Sequence, residues 1–101
     1  MKRDENWGWW DHEDNCAQCK GLGEFGGHEL FVHIAEEPNN LTMPHQLVAK
    51  NRRSGSVRRV WAYDIAEFSK SKRGVPAYWQ HALVRAVVAG YVSEGEAGGV
   101  L

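Results

Sequence analysis

Residues 76–92, PAYWQHALVRAVVAGYV, carry the strongest periodicity in the chain. Trp79, Leu83, Ala86 or Val87, and Gly90 recur at helical spacing along one stripe, while Gln80, His81 and Arg85 fall broadly opposite. Such a helix buries one side and leaves the other in water, so the rest of the chain must offer it an apolar surface. Pro76 suits the first helical turn, where its missing N–H is no loss. Gly90 is placed to end the helix in the left-handed conformation common at such termini. Beyond it, YVSEGEAGGVL reads as a strand, a glycine-rich turn and the first residues of a returning strand.

Upstream, HELFVHIAEE sets Leu30, Phe31, Ile34 and Ala35 on one side and Glu29, His33 and Glu36 largely on the other, which predicts a short amphipathic helix. Pro38-Asn39-Asn40 stops it, because the residue before a proline is pushed out of the α region. Thr42 can cap a second short helix from Met43 to Ala49, with Pro44 near its first turn. NRRSGS, residues 51–56, is a loop or turn. VRRVWAYDIAEF is ambiguous: Val57 to Ala62 do not alternate cleanly, whereas Trp61, Ile65 and Phe68 are spaced by four and three residues and favour a helix over roughly 61–68.

Three or four short helices followed by a C-terminal β-hairpin is the element order of an α+β winged helix, here spanning residues 28–101. Its core would hold Leu30, Phe31, Ile34, Leu47, Val48, Trp61, Ile65, Phe68, Trp79, Leu83 and Val87. Residues 1–27, rich in Gly, Asp, Glu, Asn and Trp, show no sustained period and predict a separate small irregular lobe. Trp7, Trp9 and Trp10 within it either pack inward or form an exposed edge that docks a protein partner.

No apolar run approaches the roughly 20 residues of a membrane span, and nothing after the charged start resembles a secretory signal. The expected compartment is the cytoplasm, where paired cysteines are reduced, metal-binding or catalytic more often than disulfide-bonded. The formal net charge of −1 hides an asymmetry: residues 1–37 hold nine acids and three bases, and eight of the twelve Lys and Arg residues fall within 50–73. A local field of that sign is what a polyanion partner responds to.

Residues 16–23, CAQCKGLG, pair two cysteines in one turn. Zinc takes four tetrahedral ligands, and a Cys-x2-Cys knuckle supplies two thiolates. His28 and His33 give the spacing C-x2-C-x8-H-x4-H, and His12 stands four residues before Cys16. The expected single-chain site is Cys16, Cys19, His28 and one of His12 or His33, holding structural zinc. Two chains each donating the cysteine pair would instead make a homodimer. A dithiol redox site would want a strand before Cys16 and a helix from it, and the acidic approach and following glycines supply neither. Two free thiols in a loop is the remaining alternative.

Two resemblances attach to these residues. GSVRRVWAYDIAEF and YWQHALVRAVVAGYVSEGEAGGVL resemble the winged-helix half of the C-terminal region of RecQ-type helicases, over about residues 45–101. Val57, Arg58 and Arg59 match that family's entry, Asp64 its aspartate, Trp79 its tryptophan, and Gly90, Tyr91 and Val92 its close; a cysteine-ligated zinc module often precedes the winged helix there. The chain departs from it in Tyr63, where histidine is favoured, in having two cysteines rather than four, and in lacking GxxxxGK[ST], without which nothing cradles a nucleoside triphosphate. CAQCKGLG is also similar to the CxxCxGxG repeat of J-protein chaperone zinc domains, of which it is one copy.

These readings together predict a zinc-stabilised winged-helix protein that binds double-stranded or junction DNA, in transcription regulation or beside a larger nucleic-acid machine. Arg52, Arg53, Arg58 and Arg59 and then Lys70, Lys72 and Arg73 would meet phosphates, with Gln80, His81 and Arg85 reading base edges. Glu94 and Glu96 on the presumed wing would oppose this, which keeps open a winged-helix protein-interaction module without nucleic acid. No catalytic set converges: Asp11, His12, Glu13 and Asp14 are merely adjacent in sequence, so the chain reads as a non-enzyme.

Overall fold

The computed structural model describes residues 10–34, 45–69 and 75–93. Among them are strands β1 (Trp10–Asp11), β2 (Cys19–Phe25), β3 (His28–Ile34), β4 (His45–Asn51) and β5 (Val57–Trp61), then helices α1 (Ala62–Ser69) and α2 (Ala77–Val88). The strands form one sheet in the order β1-β5-β4-β3-β2, with every pair antiparallel. Strands β2 to β5 are therefore a meander, and β1, first in the chain, closes the far edge against β5.

Local chemistry sets the hairpins. Phe25 and His28 are cross-strand partners, leaving Gly26 and Gly27 as a two-residue turn with φ of +59° and +81°. Positive φ at both central residues gives the turn whose twist matches the flanking strands, and glycine adopts it without a Cβ clash. At the β4–β5 end, the Asn51 side-chain oxygen accepts the backbone N–H groups of Arg53 (2.8 Å) and Ser54 (3.0 Å), so a side chain stands in for a turn carbonyl.

Alternation along the strands sorts the side chains. Leu30, Val32, Leu47, Ala49 and Val60 face Ala62 and Ile65 of α1 and Trp79, Ala82, Leu83 and Ala86 of α2, forming the core. Leu30, Val32, Leu47, Val60, Trp79 and Leu83 are fully buried there. After α2, Gly90 takes φ +88°, and the backbone N–H groups of Tyr91 and Val92 return to the Ala86 carbonyl at 2.9 and 3.3 Å. This closes the helix as the sequence predicts and folds Val92 back onto the core.

One contact ties α2 to the edge of the sheet. The register of β2 against β3 slips between Gly21 and Gly23, and Arg85 of α2 donates from Nη1 to the carbonyls of Leu22 and Glu24, both at 3.2 Å. A Cβ on Gly23, whose φ is +97°, would sit 2.9 Å from that Nη1. Gly23→Ala should therefore lower the unfolding free energy in urea by about 1–2 kcal/mol, the cost of holding an L-residue at positive φ, plus whatever Arg85 loses in moving aside. An unchanged denaturation midpoint would show that neither constraint operates.

Several expectations are overturned. The fold is an antiparallel sheet with two helices, not a winged helix, and the RecQ-type resemblance does not extend to the architecture. Residues 28–34 form a strand and not a helix, as does the described part of the expected second helix. Both segments are covered on two sides: Leu30 and Val32 face the helices while Phe31 and His33 are half-buried on the other face, which blurs alternation into something resembling a helical stripe. Residues 57–61 are strand, and a helix follows from Ala62, close to the expected 61–68. The N-terminal stretch is no irregular lobe among the described residues, because it contributes β1 and β2 to the common sheet. Trp7, Trp9 and the wing residues 94–101 lie outside the described residues, and no tryptophan cluster forms among the described side chains. No helix among the described residues is long and apolar enough to cross a membrane.

Candidate metal centre

Because β1 and β2 sit at opposite edges, residues 12–18 must cross the whole sheet on the face away from the helices. This strap reads His-Glu-Asp-Asn-Cys-Ala-Gln and has no large apolar side chain to hold it down. What it brings instead is a set of metal-ligating groups. The His12 N–H donates to the Val57 carbonyl at 2.9 Å, anchoring one end to β5. Asn15, at φ +59°, turns the strap; asparagine tolerates that conformation better than most residues. The Cys19 N–H then donates to the Cys16 carbonyl at 3.2 Å, closing the four-residue turn that holds both thiols.

Cys19 and His33 are direct partners on β2 and β3, so the pleat puts them on the same face. His12, Cys16, Cys19 and His33, all half-buried, have ligand atoms within 4.8 Å of one another. Cys19 Sγ lies 3.4 Å from His12 Nε2 and 3.6 Å from His33 Nδ1, and Cys16 Sγ lies 3.5 Å from His33 Nδ1. The His12 and His33 rings meet edge to face, 5.0 Å between centroids. With zinc bonded at about 2.3 Å to sulfur and 2.0–2.1 Å to nitrogen, a tetrahedral S2N2 set has edges of roughly 3.3–3.8 Å, which these three separations already match.

The electrostatics of the bare cluster suit a cation. Burial, then the Cys16 thiol and Glu13, push the Cys19 thiol up to about 12. Burial, then His33 and Arg59, lower the pKa of His12 below its ordinary value, which favours its neutral form. A divalent ion reverses the first trend, since a coordinating thiol gives up its proton, and takes the second as it stands, since imidazole binds metal in its neutral form. Behind the cluster, Arg59 Nη1 donates to Oε1 of the buried Gln46 at 3.2 Å. In front, a cavity of about 350 Å³ opens between strap and sheet, floored by Phe31, Val48 and Val57. Lys50 bridges to Asp14 at 2.9 Å across its rim, raising the lysine and lowering the carboxyl; an exposed pair like this stabilises little.

The structure brings together four of the five metal candidates and separates the fifth. His12 and His33, alternatives in the sequence, both join the cysteines, giving H-x3-C-x2-C-x13-H. His28 lies at the other end of β3, stacked on Tyr78 at 3.7 Å with Nδ1 3.2 Å from the Gly26 carbonyl. One chain provides a four-ligand set, so a second chain is not needed to complete it.

The nucleic-acid candidates do not converge. Arg52 pairs with Glu24 and Glu29, and Arg58 with Asp11 at 3.0 Å. Arg59 points to the opposite face of the sheet from Arg58, Arg85 is spent on backbone carbonyls, and His81 stacks on Phe25 at 3.7 Å. Arg53 is exposed in the β4–β5 turn and Gln80 half-buried on α2, while Lys70, Lys72 and Arg73 lie outside the described residues. The expected DNA-binding surface is thus not found among the described residues, and the DNA-binding, helix-turn-helix reading is withdrawn. Support residues such as Gln46, Lys50 and Asp14 carry no sequence signal of their own, because only the strand register brings them near the cluster. Comparison of the chain with protein-family models, with curated proteins and with solved structures gave no match.

Proposed function

We propose that this chain is a non-enzymatic adaptor domain whose fold is completed by one structural zinc ion held by His12, Cys16, Cys19 and His33. The observation that carries this reading is the strap: a polar segment crossing a sheet face, fixed there by two thiols and two imidazoles within tetrahedral reach. Four protein ligands fill the zinc shell and leave no position for substrate, which is the structural arrangement rather than the catalytic one. Thiolate and imidazole together favour zinc over oxygen-seeking ions such as magnesium or calcium. The domain then works by presenting a rigid surface to a protein partner; Tyr63, 42% exposed and stacked on Trp61, is part of what it presents.

Metal analysis tests the reading. Protein purified without added metal, or refolded with zinc, should carry close to one zinc per chain. Cys16→Ser and His33→Ala should bring that ratio near zero, while His28→Ala should leave it unchanged. A parent protein that holds no zinc even after refolding with it ends the proposal, and a ratio near one half would mean that the ion is shared between chains.

A further inference from the structure

Cys16 and Cys19 are placed to react with each other as well as to bind metal. Their hydrogen-bonded four-residue turn keeps the two Cα atoms within about 7 Å, next to the 4.4–6.8 Å window of a disulfide. Their sulfur atoms are within 4.8 Å, both residues are half-exposed, and both line the cavity beneath the strap, so a small oxidant has a route to them. Building on the zinc reading above, we infer that the Cys16–Cys19 pair is an oxidation site at which hydrogen peroxide converts zinc-bound dithiolate to disulfide and expels the ion.

The chemistry balances without a further reagent. One thiolate attacks a peroxide oxygen, the O–O bond breaks, and the sulfur becomes a sulfenic acid as hydroxide departs. The second thiolate attacks that sulfur, the S–S bond forms, and a second hydroxide leaves. Two protons from solvent convert both hydroxides to water; the two sulfurs have lost two electrons, the peroxide has gained them, and zinc leaves as the same dication. With its sulfurs joined, the cluster offers only His12 and His33, half of what tetrahedral zinc requires. The strap then keeps its backbone anchors, His12 N–H to the Val57 carbonyl and Ile34 N–H to the Gln18 carbonyl, both at 2.9 Å, and the exposed Lys50–Asp14 pair, but loses the metal tie at its middle, above Phe31, Val48 and Val57.

The experiment treats zinc-loaded full-length protein with hydrogen peroxide, following released zinc with a chromogenic chelator and the chain by intact mass. The expected result is release of about one zinc per chain, in step with the loss of two hydrogens relative to the reduced apo-protein. Dithiothreitol with added zinc should restore both. Zinc retained under peroxide overturns the inference, as does release accompanied only by oxygen addition and no disulfide. A chain that takes up no zinc before oxidant is added fails the metal reading itself, visibly and first. A Cys16→His variant that keeps its zinc should resist peroxide, since it cannot form the disulfide; release from it at the parent's rate would count against the dithiol mechanism.

Discussion

Removing zinc with a strong chelator should lower the melting temperature by at least roughly 10–20 °C. Metal held at a hundredfold its dissociation constant stabilises the native state by about 2.7 kcal/mol, and for a domain of this size each kcal/mol moves Tm by roughly 4–8 °C. A structural zinc binds more tightly than this, with apparent energies on the order of 10 kcal/mol, so the figure is a lower bound. The loss should be local first. The helix-side core of Leu30, Leu47, Trp79 and Leu83 contains no metal ligand, whereas the strap carries His12 and Cys16 between backbone anchors at its two ends. Limited digestion with a protease that cuts after glutamate should therefore open the chain at Glu13 in the chelated protein and spare it in the loaded one. Equal melting temperatures with and without bound zinc would show that the ion contributes nothing to the fold.

Trp79→Ala should be the most damaging single substitution on the other face. Trp79 is fully buried, the largest such side chain, and packs where α2 meets the sheet. Truncating a buried aromatic to alanine costs about 3–5 kcal/mol, a fifth or more of the roughly 5–15 kcal/mol that stabilises an ordinary domain. Far-ultraviolet circular dichroism during urea denaturation measures the loss directly. Tyr63→Ala, at an exposed position without core packing, serves as the control and should stay within about 0.5 kcal/mol. Similar losses for the two variants would mean that the core is not where the structure puts it.

Sequence reasoning reached α2 and missed the sheet for one physical reason. Only one side of α2 is buried, through Trp79, Ala82, Leu83 and Ala86, so its period survives undisguised. Strand β4 buries Gln46, Leu47, Val48 and Ala49 in succession, which erases alternation and leaves a short apolar run that fits a helix equally well. The Gly26-Gly27 pair, ahead of the apolar run Leu30-Phe31-Val32, was the available signal for a hairpin. Taking residues 28–34 as a strand would also have corrected the ligand set. His28 and His33 are an odd number of residues apart, so a strand points them to opposite faces, and about 17 Å of extended chain lies between them. The same parity separates Arg58 from Arg59 and dissolves the basic face. The cysteine pair was legible because its spacing is local; His12 and His33 stood among its candidate partners, but preferring them both to His28 needed the strand register.

Topology also orders assembly. The β2–β5 meander forms through contacts between chain neighbours, whereas β1 meets β5 only by closing a loop of about 50 residues, the slower kind of event. Cys16, Cys19 and His33 are together as soon as the first hairpin exists, while His12 arrives with β1. The sheet thus sets three ligands in place before docking of β1 fixes the position of the fourth. In stopped-flow refolding, β1 docking should appear as a final, zinc-accelerated phase, with the ion acting as the latch that draws the amino-terminal strand home.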